Sequence, residues 1–482
     1  MRYIKICLLL TLITIGCVSN KHPESYGAVP TERQMLWHSM KYHAFIHFGP
    51  NAFTDIEWGH GDESPDIFNP TELDCRQWAK VIKNAGMEGA IITAKHHDGF
   101  CLWPSAYSTH TVRESRWRGG KGDVLQELSE ACREFGLKFG IYVSPWDRNH
   151  PTYFTEEYNT VFMNMLEEVL TNYGEVYYVF FDGAFSLGPD GKRQDYNWTG
   201  FTEVVRRCQP NAVIFSDAGP DIRWIGNERG YAAETNWCTV KKGLFYPGIG
   251  GVNDQLQTGH EDGELWIPAE VNTSIRPGWF YHKQEDNQVK SLSRLIDNWY
   301  HSVGMNGNFL LNIPPDTRGL IHENDIHRLM ELKTYLDEAF SLNLAINASA
   351  HAAQTRGNLF SAKKAIDNNP KTYWAPDENV LEASIELDFG MPIEMNALLI
   401  QEYITLGQRV KSFSIEALDK DKFKHIAAGV TIGNRRIVKF DTITTQKLKI
   451  NISAKANPLI SNIEVYRVPE LTKDPTINDN KF

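Results

Sequence analysis

An aspartate at the end of an apolar run is the first candidate for chemistry in this sequence. Residues 176–184, VYYVFFDGA, are β-branched or aromatic up to Asp182, and Gly183 follows at once. A continuous apolar run predicts a strand that is buried on both faces. Barrel enzymes place catalytic groups at the carboxyl ends of such strands, although an aspartate here is equally typical of a turn or a helix cap.

Short apolar runs alternate with amphipathic segments through most of the chain before residue 342. The eight runs lie at 43–49, 89–99, 137–145, 176–183, 212–219, 230–236, 265–272 and 307–315. Eight strands that alternate with helices predict a (β/α)8-like barrel as the catalytic domain, over residues 35–342. Residues 238–262 are rich in glycine and resemble a loop, so we expect loops to replace one helix of the barrel.

Polar side chains follow nearly every predicted strand. They are His47, Glu57, Trp58, His96, His97, Tyr142, Asp182, Asp217, Arg223, Trp224, Glu228, Glu234, Glu270, Asn272, Trp279 and Asn312. Because the carboxyl ends of all barrel strands face one side, we expect these residues to form one site.

Two chemistries suit this set of residues. One is metal-dependent hydrolysis with His47, His96, His97 and Asp182, and the other is glycoside hydrolysis by a pair of carboxyl groups. Neighbouring His96 and His97 would point to opposite sides of a continuing strand, so one metal ion would contact only one of them. No phosphate loop, nucleophile elbow or HExxH motif is present, and the pattern favours the glycosidase.

Four motifs resemble the α-L-fucosidases of glycoside hydrolase family 29. They are FIHFG, AKHHDGFCLW, VFFDGA and NGNFLLNIPPDTRGL, in the family's order. The resemblance implies retaining hydrolysis of terminal α-L-fucose through a covalent glycosyl-enzyme, without a catalytic cofactor, and Asp182 matches the family's nucleophile. The positions it implies for substrate binding are His47, Glu57, Trp58, His96, His97, Tyr142, Arg223 and Trp279.

The acid/base residue is harder to place, because its position varies within that family. Residues 219–230, GPDIRWIGNERG, resemble the branch that prefers α1,3/4-linked fucose, which implies Glu228 as the acid/base. Glu270 and Glu234 are the alternatives. Action on another α-L-sugar such as L-galactose, and a non-catalytic sugar-binding protein, also remain open.

The chain after residue 342 has a different pattern. Short alternating apolar segments over 343–468 predict an all-β sandwich. AIDNNPKTYWAP and IEVYR resemble the discoidin-like, factor 5/8 type C fold, which implies a structural Ca²⁺ held by Asp367, Thr372 and Glu464. An Asx turn without metal is the alternative there, and a spacer role is as open as sugar binding.

The first residues predict export. Residues 1–16 combine a positive start with an apolar run, and Cys17 follows Gly16, as in a bacterial lipoprotein signal with acylation of that cysteine. A plain secretory signal is the alternative. We expect a polar tether over 17–34, a frayed tail over 469–482, and a protein anchored by lipid in the periplasm or at the cell surface of a bacterium, on the outer membrane.

The composition excludes several classes of partner. The net charge is −11 and no basic block occurs, so nucleic acid is a poor partner. Five of the seven cysteines follow Cys17, far apart and without a CxxC pair, which argues against disulfides and structural zinc. The resemblance to the family 29 enzymes implies fucosylated glycans as partners, and no protein partner is implied.

Overall fold

The computed structural model describes residues 21–470 of the chain. The predicted signal peptide, Cys17 and most of the predicted tail lie outside the described residues. Within 21–470, none of the helices combines the length and hydropathy that a membrane span requires.

The first domain contains a closed barrel of eight parallel strands. The strands of the whole domain, in chain order, are β1 (Tyr42–Ile46), β2 (Gly89–Lys95), β3 (Lys138–Val143), β4 (Tyr178–Phe180), β5 (Val213–Ser216), β6 (Ile222–Trp224), β7 (Thr239–Val240), β8 (Leu265–Trp266), β9 (Ala269–Ser274) and β10 (Asn308–Asn312). The barrel closes in the order β1-β10-β9-β6-β5-β4-β3-β2, while β7 and β8 form a separate antiparallel pair. The predicted barrel is confirmed.

Helices surround this barrel. They are α1 (Glu32–Ser39), α2 (Asn51–Thr54), α3 (Cys75–Asn84), α4 (Val124–Phe135), α5 (Glu157–Thr171), α6 (Trp198–Cys208), α7 (Asn253–Thr258), α8 (Leu292–Ser302) and α9 (Glu323–Ala339). In α4 the Asp123 carboxylate accepts the Gln126 N–H at 3.0 Å, and Gly136 ends the helix with φ of 65°. Such local signals fix both ends of a helix before any packing is considered.

The sixth strand is not where the sequence pattern places it. The prediction of a strand at 230–236 is wrong, because the barrel strand is β6, eight residues earlier in the chain. It has three residues with Arg223 in the middle, so it lacks an apolar run. Within the described residues, β5 and β6 are joined by 217–221 without a helix. A helix is thus missing, but not at 238–262 where it was expected, because that segment contains the short helix α7.

The second domain is an antiparallel sheet. Its strands are β11 (Ser349–His351), β12 (Glu382–Glu402), β13 (Val410–Asp419), β14 (Lys422–Val430), β15 (Arg436–Ala454) and β16 (Ile460–Tyr466). Strands β12 and β15 are much longer than predicted, since their pairing continues across register shifts near Asp388 and Met395. The order is β11-β12-β15-β13-β14, and β16 also pairs with β12, over Ala397–Glu402.

The second domain packs on the amino ends of the barrel strands. The Ile437 N–H donates to Gly304 O at 2.9 Å, and the Asn306 N–H donates to Arg435 O at 2.9 Å. Leu399 and Tyr466 join the apolar cluster of the barrel domain. The face of the barrel that carries strand carboxyl ends is therefore left to the loops.

The described part of the predicted tether is bound to the second domain. The Tyr26 N–H donates to Leu406 O at 2.9 Å, and Arg356 donates to Lys21 O at 2.7 Å. Residues 21–30 therefore do not form a free linker, because their backbone groups find partners on the domain that follows the barrel.

The three predicted calcium ligands have other partners in this structure. The Asp367 carboxylate accepts the Thr372 hydroxyl at 2.8 Å and lies 3.3 Å from the Lys364 ammonium. Glu464 accepts Asn462 Nδ2 at 2.9 Å and borders the groove between the domains, beside Arg435. Both carboxylates have cationic or amide neighbours, so this set does not fit the cluster of oxygens that Ca²⁺ requires.

Candidate active site

A cavity of about 360 Å³ opens at the carboxyl ends of the barrel strands. Its residues are Phe45, His47, Glu57, Trp58, His96, His97, Tyr142, Phe180, Asp182, Gly183, Ala184, Phe185, Phe215, Asp217, Trp224, Glu228, Gly248, Ile249, Gly250, Asn272 and Trp279. Phe180 and Phe215 stack at 4.0 Å between ring centres and form an apolar floor with Phe45. The cavity thus has an apolar bottom and polar walls.

Asp182 follows directly after β4 and borders this floor. Its Oδ2 accepts the Tyr142 hydroxyl at 3.1 Å, and its Oδ1 accepts the Ala184 N–H at 2.7 Å. Tyr142 lies on β3, the neighbouring strand. Two donors on the barrel framework therefore hold this carboxyl group in one orientation.

A second aspartate, Asp217, lies beside Asp182, as its place after a predicted strand leads one to expect, although the family resemblance implies no role for it. Its Oδ2 accepts the Gly248 N–H at 2.7 Å. A Cβ on Gly183 would lie 1.9 Å from that oxygen, so only glycine fits between the two acids. Burial and the charge of Asp182 raise the pKa of Asp217 to about 6. Its place after an apolar run was the one available signal.

His47 follows β1, and its tautomer is set by Asn312. The Asn312 amide donates to Trp279 O at 2.7 Å and to Ser274 Oγ at 2.9 Å, which leaves its oxygen as the acceptor for His47 Nδ1 at 2.8 Å. Burial lowers the pKa of His47 to about 3. The neutral ring therefore donates through Nδ1 and keeps Nε2 as an acceptor.

His96 and His97 both face the cavity, which corrects the expectation of opposite sides. Strand β2 ends at Lys95, so the alternation of a strand does not apply to the pair, and their ring centres are 4.1 Å apart. Ser144 Oγ donates to Trp146 O at 2.8 Å and accepts His97 Nδ1 at 2.8 Å. Burial lowers the pKa of both histidines, to about 4 for His97. Among the described residues, no three His, Cys, Asp or Glu side chains are grouped to hold a metal ion.

Glu228 lies at the mouth of the cavity on the loop after β6. Its Oε2 accepts the indole N–H of Trp279 at 3.1 Å. Partial burial raises the pKa of Glu228 against the effect of that hydrogen bond, and the charges of Asp182 and Glu57 add to the rise. Glu228 and Asp182 thus border one cavity in different electrostatic surroundings.

Glu57 and Trp58 come from the loop after α2. Glu57 accepts the backbone N–H of Trp279 at 3.0 Å and of Phe280 at 3.3 Å. Trp58 is 52% exposed and stands edge-on to His97, with ring centres 5.5 Å apart. Glu57 therefore orients the neighbouring wall, and Trp58 offers a free aromatic face at the mouth.

Comparison with known proteins agrees with this geometry. The family model described as alpha-L-fucosidase matches residues 22–339, and the F5/8 type C domain model matches residues 345–465. Alpha-L-fucosidase 1 of Arabidopsis thaliana is 40% identical over 471 residues, which cover 95% of this chain and 92% of that protein. The chain belongs to the α-L-fucosidase family.

Solved structures support the same placement of this α-L-fucosidase. A glycoside hydrolase 29 family member from an unknown rumen bacterium matches with a TM-score of 0.82 at 43% identity, covering 94% of this chain and 80% of that one. A Ruminococcus gnavus GH29 fucosidase in complex with fucose matches with a TM-score of 0.85 at 30% identity, covering 94% and 97%. Both domains of this glycoside hydrolase are thus shared with its relatives.

Three charged residues expected at the site of this α-L-fucosidase lie elsewhere. Arg223 is fully buried and donates to Leu256 O at 2.8 Å and Trp237 O at 3.0 Å, so it fixes loops outside the cavity. Glu270 lies at the start of β9 inside the barrel, where it accepts Trp37 Nε1 at 3.3 Å. Glu234 lies 3.5 Å from Arg436 of the second domain.

Proposed function

We propose that this α-L-fucosidase is a retaining exo-enzyme that removes terminal α1,3/4-linked fucose by double displacement. The observation that carries the proposal is the pair of carboxyl groups in one cavity. Asp182 is held by the Tyr142 hydroxyl and a backbone N–H, while the pKa of Glu228 is raised. Retaining glycosidases need one ionised carboxylate and one protonated carboxylic acid, about 5–5.5 Å apart.

In the first step Asp182 attacks the anomeric carbon of fucose. The bond between this carbon and Asp182 forms while the bond to the leaving oxygen breaks, and Glu228 gives its proton to that oxygen. In the second step Glu228 takes a proton from water, which attacks the anomeric carbon and releases Asp182. The raised pKa of Glu228 suits a group that must first be an acid and then a base.

The remaining walls suit a single deoxy sugar. Neutral His47, His96 and His97 present ring nitrogens to hydroxyl groups, and Glu57 and Tyr142 add oxygen atoms. The apolar ring of Trp279 and the floor below it offer contact to the C5 methyl group of fucose. A cavity of about 360 Å³ that ends on a phenylalanine floor suits one sugar at the end of a chain.

Azide identifies the two carboxyl groups separately. With dinitrophenyl fucoside, Asp182→Ala should be almost inactive, and azide should restore turnover by bonding to the anomeric carbon from the vacated side, giving the β-fucosyl azide. Glu228→Ala should instead accumulate the fucosyl-enzyme, and azide should displace Asp182 to give the α-fucosyl azide. Near-native activity of Asp182→Ala would refute the mechanism.

The proposed linkage preference rests on the segment 219–230, in which β6 and the loop after it bring Trp224 and Glu228 to the cavity. We expect release of fucose from 3-fucosyllactose and Lewis-type glycans and little from 2′-fucosyllactose. Equal rates on the two fucosyllactoses would contradict the proposed preference. A panel of nitrophenyl glycosides that includes the L-galactoside tests the choice of sugar.

We also propose that the protein is exported and anchored by a lipid on Cys17, on the basis of the apolar run before that residue. Labelled palmitate should be incorporated by the wild type and not by Cys17→Ala. Release of an unlabelled, soluble wild-type protein would instead support a plain secretory signal.

A further inference from the structure

His282 lies behind the wall of the cavity, between two carboxylates. Its Nδ1 is 2.6 Å from Asp55 Oδ1, and its Nε2 is 2.6 Å from Glu57 Oε1. An ionised carboxylate only accepts hydrogen bonds, so both ring nitrogens must donate and the ring must carry a charge. Burial acts to lower the pKa of His282, but these hydrogen bonds and the charges of Glu57 and Glu285 outweigh it and raise the pKa.

The Glu57 carboxylate connects His282 to the loop that carries Trp279. Both Glu57 oxygens lie 3.0 Å from the backbone nitrogen of Trp279, and Oε1 also accepts the backbone N–H of Phe280 at 3.3 Å. The preceding residue, Gly278, has no room for a side chain, because a Cβ there would lie 2.4 Å from Glu57 Oε1 and 2.8 Å from the His282 ring. The imidazolium and the loop are therefore packed on the same carboxylate.

Trp279 in turn contacts the residues that act on the substrate. Its indole N–H donates to Glu228 Oε2 at 3.1 Å, and its ring lies 5.1 Å from that of His47. A continuous series of hydrogen bonds thus runs from Asp55 through His282 and Glu57 to Trp279 and Glu228.

We propose that His282 is a positioning residue, which through Glu57 holds Trp279 where its indole N–H orients Glu228 for proton transfer. The proposal rests on the proposed acid/base role of Glu228. His282 does not line the cavity, so it acts only through the geometry of the wall and the charge that it places beside Asp55 and Glu57.

Leaving groups of different quality separate this role from a merely structural one. Dinitrophenolate leaves with little help from an acid, whereas the sugar oxygen of 3-fucosyllactose needs a proton from Glu228. For His282→Gln we expect kcat/KM on 3-fucosyllactose to fall by about tenfold or more, with less than about a twofold loss on dinitrophenyl fucoside. Asp55→Asn keeps an acceptor for His282 Nδ1, so its kcat/KM should fall less. Its loss should again be larger on 3-fucosyllactose than on dinitrophenyl fucoside.

The pH profile gives a second readout. The indole N–H of Trp279 stabilises the ionised form of Glu228, and the positive charge of His282 offsets the negative charge of Glu57. Loss of both effects should raise the pKa of Glu228, so the basic limb of kcat/KM in His282→Gln should move to higher pH. His43→Gln is the matched control, since His43 is a buried histidine that is bonded to Tyr177 at 2.9 Å and is not among the residues that line the cavity.

Glu228→Gln, measured beside these variants, separates two failures. Glu228→Gln should lose much more kcat/KM on 3-fucosyllactose than on dinitrophenyl fucoside. If it does so and a folded His282→Gln variant does not, the positioning role of His282 is wrong. If Glu228→Gln itself loses equally on both substrates, the acid/base proposal fails first. Equal losses for His282→Gln on both substrates, with an unmoved pH profile, would also overturn the positioning role; melting temperatures report whether each variant is folded.

Discussion

The two ends of the barrel use the same residue types for different purposes. At the carboxyl ends, Asp182, Asp217 and Glu228 border an open cavity. At the amino ends, Glu270 is buried with Trp37 and Tyr178 as hydrogen-bond donors, and Glu234 pairs with Arg436 of the second domain. The Glu270 carboxyl group at the amino end, called the lower end here, is thus buried, while the carboxyl groups at the carboxyl end, the upper end, border the cavity.

The second domain explains much of this difference. It covers the amino ends of the strands and supplies backbone donors such as the Ile437 N–H, which donates to Gly304 O of the barrel domain. The loops at the other end remain free to carry Glu57, Glu228 and Trp279 around the cavity. Stability is concentrated at one end and chemistry at the other, as is general for such barrels.

The largest expected effect is the difference in kcat/KM between variants of Glu228 at the upper end and Glu270 at the lower end. Glu228→Gln should reduce kcat/KM on 3-fucosyllactose by about 10²–10⁴, the usual contribution of a general acid. Glu270→Gln should change it by less than about tenfold, because it borders no part of the cavity. Steady-state kinetics on both variants test this, and a larger loss in Glu270→Gln would reverse the assignment of the two ends.

Gly183→Ala should have the next largest effect, since its Cβ would lie 1.9 Å from Asp217 Oδ2 and 2.6 Å from the Gly248 nitrogen. The backbone that carries Asp182 must then shift, and a displacement near 1 Å costs about a hundredfold in kcat. Gly49→Ala is the control, because a Cβ there meets Phe280 at an ordinary 3.8 Å. Similar kcat values in the two variants would show that this close approach does not position Asp182.

The sequence predicts the cavity residues at the carboxyl end of the barrel well where an apolar run precedes them. Asp182, His47 and His96 each follow a run long enough to be recognised as a strand, so their meeting at one face follows from the barrel alone. The sixth strand has no such run, because its central residue is Arg223. A buried arginine in a three-residue strand is stable only because four oxygen atoms of distant loops surround it, and no local pattern shows them.

Roles that depend on distant partners are likewise hidden in the sequence. Glu57 is 222 residues from Trp279, and His282 is 227 residues from Asp55. The types of these residues suggest a polar wall, but only the fold shows which of them contact each other. The misplacement of Glu234 has the same cause, since its partner Arg436 belongs to the second domain.

Arg223→Lys should affect stability more than chemistry. A lysine keeps the charge but cannot reach Leu256 O, Asn236 Oδ1 and Trp237 O together. We expect a loss of about 3 kcal/mol or more in unfolding free energy, because buried carbonyl groups lose a charged donor. Activity on dinitrophenyl fucoside below the melting temperature should remain within about tenfold.

Arg207→Lys is the matched control for that loss, since Arg207 pairs with Glu167 on the surface and such pairs contribute about 0–1 kcal/mol. Thermal melts of the two variants make the comparison. A stable Arg223→Lys with strongly raised KM would instead support substrate contact by Arg223.

The smallest effect concerns the pH dependence of stability at the lower end. Burial raises the pKa of Glu270 to about 7, against the opposing hydrogen bonds from Tyr178 and Trp37. The folded protein therefore holds a proton that the unfolded chain releases near pH 4.5, so stability falls as the pH rises from about 4.5 to 7. The group contributes up to about 3 kcal/mol to this fall, and Glu270→Gln should remove that share.

Glu402, whose pKa burial also raises to about 7, remains in both proteins and cancels in the comparison. Melting temperatures of the wild type and Glu270→Gln should be measured between pH 5 and 8. The melting temperature of the variant should fall less as the pH rises. Parallel curves would mean that Glu270 is ionised throughout and that the lower end tolerates a buried charge.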